Sequence, residues 1–179
     1  MLTNWERFKG WAVLEYFLQY PTTAIHVNAL ARFLKISPLT ANTYLTEYFK
    51  DGLLEREAKA NALFYRLAQS PLINTLKRFR TLLALERIGF VRKIRSENPS
   101  TTSIVLYGTH ASGTYDEKSD YDILVISQEK TVPKKAVSEL DAPISLSVVS
   151  LRQWRGMNAS FKESVWNNHI VLYGPGLVR

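Results

Sequence analysis

Cysteine is absent from the 179 residues. Disulfides, thiolate metal centres and a cysteine nucleophile are thereby excluded, which leaves any metal to oxygen or imidazole donors. Carboxylates are the ligands to look for. No run of 18 apolar residues occurs, and the opening MLTNWERFKG lacks the uninterrupted apolar stretch of a secretion signal. The expectation is a cytoplasmic protein with no membrane partner. Glycine (8) and proline (7) are sparse while 46% of residues are hydrophobic, so the chain should fold, as one compact domain or two small ones. Acidic residues are the minority charge. The 23 Lys and Arg against 16 Asp and Glu leave +7, much of it before residue 95, a balance that favours polyanionic partners.

The first half reads as helices followed by a hairpin. Asn4 can cap a helix in which Trp5, Phe8, Trp11, Ala12 and the Leu14–Leu18 cluster recur at helical spacing until Pro21. Val27, Leu30, Phe33 and Leu34 form a second, short stripe. Ser37-Pro38, a cap followed by proline in the first turn, predicts a third helix to about Asp51, with Leu39, Tyr44, Leu45, Tyr48 and Phe49 facing a core. Thr40, Asn42, Thr43, Thr46 and Lys50 are left on its open side. Leu53–Lys59 and Ala62–Leu67 read as two strands joined near Ala60-Asn61 and carrying Arg56, Lys59 and Arg66.

Two short helices with a tight corner, then a hairpin, resemble a winged helix-turn-helix whose second helix enters the major groove. The polar helix face would read base edges and the wing's cations would neutralise phosphates, making double-stranded DNA an expected partner. Winged helices also dock proteins, and Glu47, Glu55 and Glu57 weaken a DNA footprint.

From Pro71 to about Ile88 a linker helix is expected, with Leu72, Leu76, Phe79, Leu83 and Leu85 on one side and Lys77, Arg78, Arg80 and Arg87 opposite. Such a stripe suits a homodimer interface. The basic run Arg92-Lys93-Ile94-Arg95 reads as a junction, giving units of 1–70, 71–95 and 96–179.

In the last unit Ser103–Tyr107, Tyr121–Ser127 and Ile144–Ser150 read as strands. VPKKAVSEL, LRQWRGMNAS and FKESVWNNH read as helices, and the final IVLYGPG as an edge strand or packed terminus. Asp120 and Asp122 open the second strand at i and i+2, so they project from one face and can share a divalent cation. The bland alternative is a pair capping a solvent-facing strand near Lys118. Gly108-Thr109 forms a turn able to receive phosphate. His110 has no proton-transfer role in this reading, and Trp154 and Trp166 read as core. Glu163 and His169 enter only if the last helix folds over the pocket.

The run Gly108-Thr109-His110-Ala111-Ser112-Gly113, followed by Ser119-Asp120-Tyr121-Asp122-Ile123-Leu124-Val125, resembles the glycine-serine and Asp-x-Asp motifs of the DNA polymerase beta-like nucleotidyltransferase superfamily. The form is that of the minimal nucleotidyltransferases, here behind a winged helix as in archaeal proteins of this group. The resemblance implies an α+β chain: a winged helix-turn-helix, a linker helix and a small mixed-sheet nucleotidyltransferase fold. It also implies metal-assisted transfer of a nucleoside monophosphate with pyrophosphate leaving. Gly108, Thr109, Ser112 and Gly113 match the phosphate turn, and Ser119 could orient a carboxylate. Asp120 and Asp122 match the catalytic ligands of Mg²⁺ or Mn²⁺, and a nucleoside triphosphate is substrate or ligand.

The family's third carboxylate comes from the neighbouring strand, here ISLSVV, with Ser145 and Ser147 at the inward positions. A serine hydroxyl neither neutralises Mg²⁺ nor acts as a base near neutral pH. Asp141 precedes Pro143 and is not expected to reach the same point. The expected function is therefore a DNA-associated regulatory protein binding Mg²⁺ and nucleotide, catalytically weak or inactive. The alternatives are an active transferase acting on a protein or small molecule, and a two-domain scaffold for protein contacts.

Overall fold

The computed structural model describes residues 8–59, 61–129, 131 and 138–177. Asn4, Trp5 and most of the helix expected in VPKKAVSEL lie outside the described residues. The chain divides into two compact units, one ending at Leu76 and one beginning at Lys77.

The first unit contains α1 (Lys9–Gln19), β1 (Ile25–His26), α2 (Val27–Leu34), α3 (Pro38–Lys50), β2 (Leu54–Lys59) and β3 (Ala62–Leu67). The strands form an antiparallel sheet in the order β1-β3-β2. This is the winged helix-turn-helix arrangement. Trp11, Val13, Leu14, Tyr16, Phe17 and Leu18 are all buried on α1, so apolar contact wraps most of that helix. Ser37 caps α3 by accepting from the Thr40 amide at 3.0 Å, ahead of Pro38 in the first turn.

Leu39 does not face the core as expected: it is 77% exposed, while Ala41 and Leu45 are buried. Six residues are about one and two-thirds turns, so Leu39 lies roughly 120° from Leu45 and joins Thr43, Thr46 and Lys50 on the open face. The hairpin closes between Lys59 and Ala62, with Asn61 at φ 61, a left-handed conformation that asparagine tolerates.

Helix α4 (Pro71–Arg87) crosses the boundary between the units. The second unit continues with α5 (Phe90–Glu97), β4 (Thr101–Tyr107), α6 (Gly108–Ser112), β5 (Tyr121–Ser127), β6 (Ile144–Val149), α7 (Leu151–Gly156), α8 (Ala159–Asn167) and β7 (His169–Tyr173). The sheet order is β6-β5-β4-β7, with β5 and β6 parallel and the other pairs antiparallel. The IVLYGPG segment thus supplies a fourth, edge strand.

β5 is buried along its length apart from half-exposed Asp122, as befits a central strand covered on both faces. One face packs Ile104, Leu106, Tyr121, Ile123 and Val125 against Leu85, Phe90 and Ile94. The other packs Val105, Leu124 and Ile126 against Trp154 and Val165. Truncating one of these fully buried side chains, such as Ile123, to alanine costs about 2–5 kcal/mol.

Two expectations about the linker are corrected. The run from Arg92 to Arg95 is not a junction but part of α5, whose Phe90 and Ile94, one turn apart, are buried. Lys77 and Arg80 are not on a solvent face. Both are buried, because Lys77 donates to the Tyr115 carbonyl and Arg80 pairs with Asp141. Among the described residues no helix is long and apolar enough to cross a membrane.

Candidate nucleotide and metal site

The end of β4 turns directly into α6. Gly108 makes the corner at φ +70, and a Cβ built on it would collide with the Asp122 carboxylate oxygen Oδ2. Only glycine lets the turn and the carboxylate come this close. The short helix ends at Gly113, φ +79, whose amide donates to the Thr109 carbonyl at 2.9 Å. Ser112 donates to the same carbonyl at 3.1 Å and meets the Thr114 hydroxyl at 2.7 Å, while Thr109 is exposed. Of the turn residues expected from the sequence, Gly108 meets Asp122, and Thr109, Ser112 and Gly113 close the short helix behind it.

Asp120 is exposed and Asp122 half-buried. Burial, and then the Asp120 charge, push the Asp122 carboxyl above the usual carboxylate range. A cation held by the two acids would offset that penalty. Among the described residues no group of three or more His, Asp or Glu side chains is placed to hold a metal. Two carboxylates nevertheless fit magnesium, which commonly takes one or two protein acids and completes its octahedron with phosphate oxygens and water.

Pairing defines what surrounds Asp122. It lies opposite Tyr107 on β4 and beside Ser145 on β6, and Tyr107 in turn faces His169 on β7. One row across the sheet therefore reads Ser145, Asp122, Tyr107, His169. Ser147 and Val149 share this face, since Val149 packs into the cluster beneath α7 and α8. Burial, and then the Asp122 charge, raise the pKa of the Tyr107 hydroxyl.

Asp141 is elsewhere. Its Oδ2 accepts from Arg80 and its Oδ1 accepts from the Tyr121 hydroxyl at 2.9 Å. Tyr121 points to the sheet face opposite Asp122, so Asp141 serves the reverse side.

Ser119 does not orient Asp120. Its hydroxyl donates to Asp116 Oδ1 at 3.0 Å and accepts from the Asp116 amide at 3.0 Å, closing the preceding loop. His110 is buried and sandwiched between Tyr115 and Tyr121, with centroids at 4.1 and 4.0 Å. Its Nε2 lies 3.4 Å from the Ser119 carbonyl, an obligate acceptor, so that nitrogen carries the proton and Nδ1 accepts from Thr81 Oγ1 at 3.1 Å. Burial lowers its pKa to about 4. His110 is a neutral strut between α4, α6 and the approach to Asp120.

α8 does cover the Asp122 face, through Phe161 and Val165, while Glu163 is exposed. Trp154 is core. Trp166 stacks on His169 at 5.5 Å. With α8 over this face, His169 enters the row beside Asp122 as the fold condition required, while Tyr107, on the same row, is found only through the antiparallel register of β4.

In the first unit, Asn42, Thr43 and Lys50 are exposed, and Thr40 and Thr46 half-buried. Thr43 donates to the Leu39 carbonyl at 3.0 Å, and the Thr40 hydroxyl lies 2.8 Å from that of Ser37. Arg56 sits 4.3 Å from the centroid of the Phe49 ring. Lys59 pairs with Glu57 at 3.0 Å and Arg66 with Glu55 at 2.7 Å, so two of the three wing cations already have exposed carboxylate partners.

This sheet and turn define a nucleotidyltransferase-fold domain, and the family model described as "Nucleotidyltransferase domain" matches residues 88–165. Among solved structures, the chain is similar to a "Possible transcriptional regulator from Methanosarcina mazei Go1", at 20% identity over 51% of this chain and 78% of that one, TM-score 0.35. It is also similar to a structure titled "toxin-antitoxin with AMP-PNP", at 23% identity over 50% and 74%, TM-score 0.39. A mutant MntA-HpeT toxin-antitoxin shows 20% identity over 51% and 74%, TM-score 0.41. No curated protein matches significantly. At these identities and scores the structural likenesses add nothing about function.

Proposed function

We propose that the chain is a DNA-associated regulator whose second domain binds one Mg²⁺ and a nucleoside triphosphate, with little or no nucleotidyl transfer. The first unit, ending at Leu76, would read DNA and the second, from Lys77, hold the nucleotide. The observation that carries the reading is the strand beside Asp122. It offers Ser145 and Ser147 where a third acid would complete a two-metal site, while Asp141 is bound to Arg80 and Tyr121 on the other face. Two-metal catalysis needs both the attacking and leaving oxygens clamped. One acid pair supports binding more readily than transfer.

The DNA part of the reading rests on the open face of α3 and on cations whose surface pairs are worth little and can be exchanged for phosphates. Exposed Leu39 adds an apolar group suited to a thymine methyl. A homodimer belongs to the same proposal, since Leu72 and Phe79, two turns apart on α4, are exposed.

Three measurements test it. Mg²⁺ with ATP or GTP should raise the melting temperature, by an amount equivalent to about 2.7 kcal/mol at a hundredfold excess over Kd. No shift with any nucleoside triphosphate overturns nucleotide binding. Labelled triphosphate with cell extract should give no product; labelling abolished by Asp120→Asn would instead establish an active transferase. Duplex retention in a gel should fall steeply with salt. Absence of retention at low salt removes the DNA role.

A further inference from the structure

The two acids are held by different means. Asp122 lies inside β5, so strand pairing and the close approach of Gly108 fix its carboxylate. Asp120 precedes β5 and is exposed, so its direction depends on the loop that leads from Gly113 to the strand. Ser119 and Asp116 close the tip of that loop on each other. Its base is held by His110. The imidazole lies between Tyr115, near the start of the loop, and Tyr121, just past its end, with interplanar angles of 11° and 15°. Its Nε2–H donates to the Ser119 carbonyl at 3.4 Å, the carbonyl of the peptide that leads into Asp120. Nδ1 accepts from Thr81 on α4, and Lys77, one turn earlier, donates to the Tyr115 carbonyl with its Nζ 4.4 Å from the centroid of the Tyr115 ring. The backbone of His110 belongs to α6, directly after Gly108 and Thr109. One residue therefore joins the phosphate turn, through its main chain, to the Asp120 loop, through its side chain.

We infer that His110 is a positioning residue: it fixes Asp120 relative to the phosphate turn, so that a cation can bridge Asp120, Asp122 and the nucleotide phosphates. This rests on the reading that the site binds Mg²⁺ and a nucleoside triphosphate. Mg²⁺ takes oxygens at about 2.0–2.1 Å in near-octahedral geometry, and the ligands of such a site must be held to within about 0.5 Å. Asp122 meets that demand through the sheet. Asp120 meets it through the peptide plane that His110 grips. Two buried tyrosines and the Thr81 hydroxyl leave the imidazole one orientation, with its Nε2–H on Ser119. His110 is itself buried and acts through Asp120 rather than on the ligand.

The test measures how strongly Mg²⁺ and nucleotide favour each other on the full chain, by isothermal titration of a nonhydrolysable ATP analogue with Mg²⁺ or with a chelator. In the parent, Mg²⁺ should tighten analogue binding at least about fivefold. His110→Phe keeps a ring in the sandwich and loses the donor, so affinity in chelator should persist while the Mg²⁺ enhancement disappears. His110→Gln puts an amide donor within reach of the Ser119 carbonyl and should recover part of the enhancement. A full enhancement in His110→Phe overturns the inference, and so does an equal loss with and without Mg²⁺, which a merely structural ring would give. No recovery in a folded His110→Gln overturns it as well. Should both variants fold poorly, NMR of the imidazole nitrogens in the parent decides: the Nε2–H resonance should move when Mg²⁺ joins bound analogue, and an unmoved resonance overturns the inference. Parent binding indifferent to Mg²⁺ overturns the inference and leaves nucleotide binding intact. Failure of the parent to bind analogue under either condition overturns the function reading together with it.

Discussion

The Asp122 carboxylate occupies the place that the first side-chain carbon of any larger residue at 108 would take, so Gly108 and Asp122 depend on each other. Gly108→Ala must either push the carboxylate away or open the turn. The left-handed φ adds about 1–2 kcal/mol of strain. Affinity for Mg²⁺ and nucleotide should fall at least about tenfold, equivalent to ~1.4 kcal/mol. Isothermal titration checks this, and an unchanged affinity would separate the turn from the ligand.

Asp122→Asn should have opposite effects on stability and on binding. The native carboxyl has a raised pKa, so the folded state holds its proton to higher pH than the unfolded chain, and ionisation works against folding as pH rises through that window. Without metal, the amide variant should melt higher than the parent at pH 7. The difference should vanish at pH values below the ordinary carboxylate range, where both states are protonated. With Mg²⁺ and ATP, only the parent should gain stability.

His110 gives the opposite pH dependence. Its native pKa is depressed to about 4 against 6.5 unperturbed, so native His110 is neutral in a range where the unfolded chain is charged. Its contribution is complete above about pH 6.5 and is lost as pH falls toward 4, with a slope up to about 1.4 kcal/mol per pH unit. Hydrogen exchange at the β5 amides should follow this slope. His110→Phe, which keeps an aromatic ring between Tyr115 and Tyr121, should flatten it.

Asp141→Ala should destabilise the second unit without touching the ligand. Arg80 is 5% exposed and would be left as a buried charge without its carboxylate, a loss on the order of 3 kcal/mol. The increment in melting temperature from Mg²⁺ and ATP should persist. A loss of that increment at unchanged stability would place Asp141 in the nucleotide site.

Lys50→Ala and Arg56→Ala should each reduce the slope of log affinity for duplex DNA against log salt by about 1. Leu39→Ala should weaken binding while leaving that slope unchanged, because it removes an apolar contact and no charge. Gel retention across a salt series distinguishes the two behaviours.

The local signals legible in the chain were those whose cause is local. Ser37-Pro38 started α3, the alternating and apolar runs became β2, β3, β4, β5 and β6, and Gly108 through Asp122 marked a turn meeting a central strand. The side that Leu39 faces follows from helical angle summed over the six residues to Leu45, which the apolar character of Leu39 by itself does not reveal. In α5 the cations around Phe90 and Ile94 hide the one-turn apolar repeat that the core of the second unit uses.

What sequence by itself determined was the inventory: no thiols, an acid pair at i and i+2, a glycine turn before it, and serines where a further acid is expected. Tertiary structure decided which of these meet. Strand pairing set Tyr107 beside Asp122, and burial turned Lys77, Arg80 and His110 into internal struts. The physical reason is range. Turn and cap preferences act within a few residues, whereas register and desolvation depend on segments brought together from distant parts of the chain.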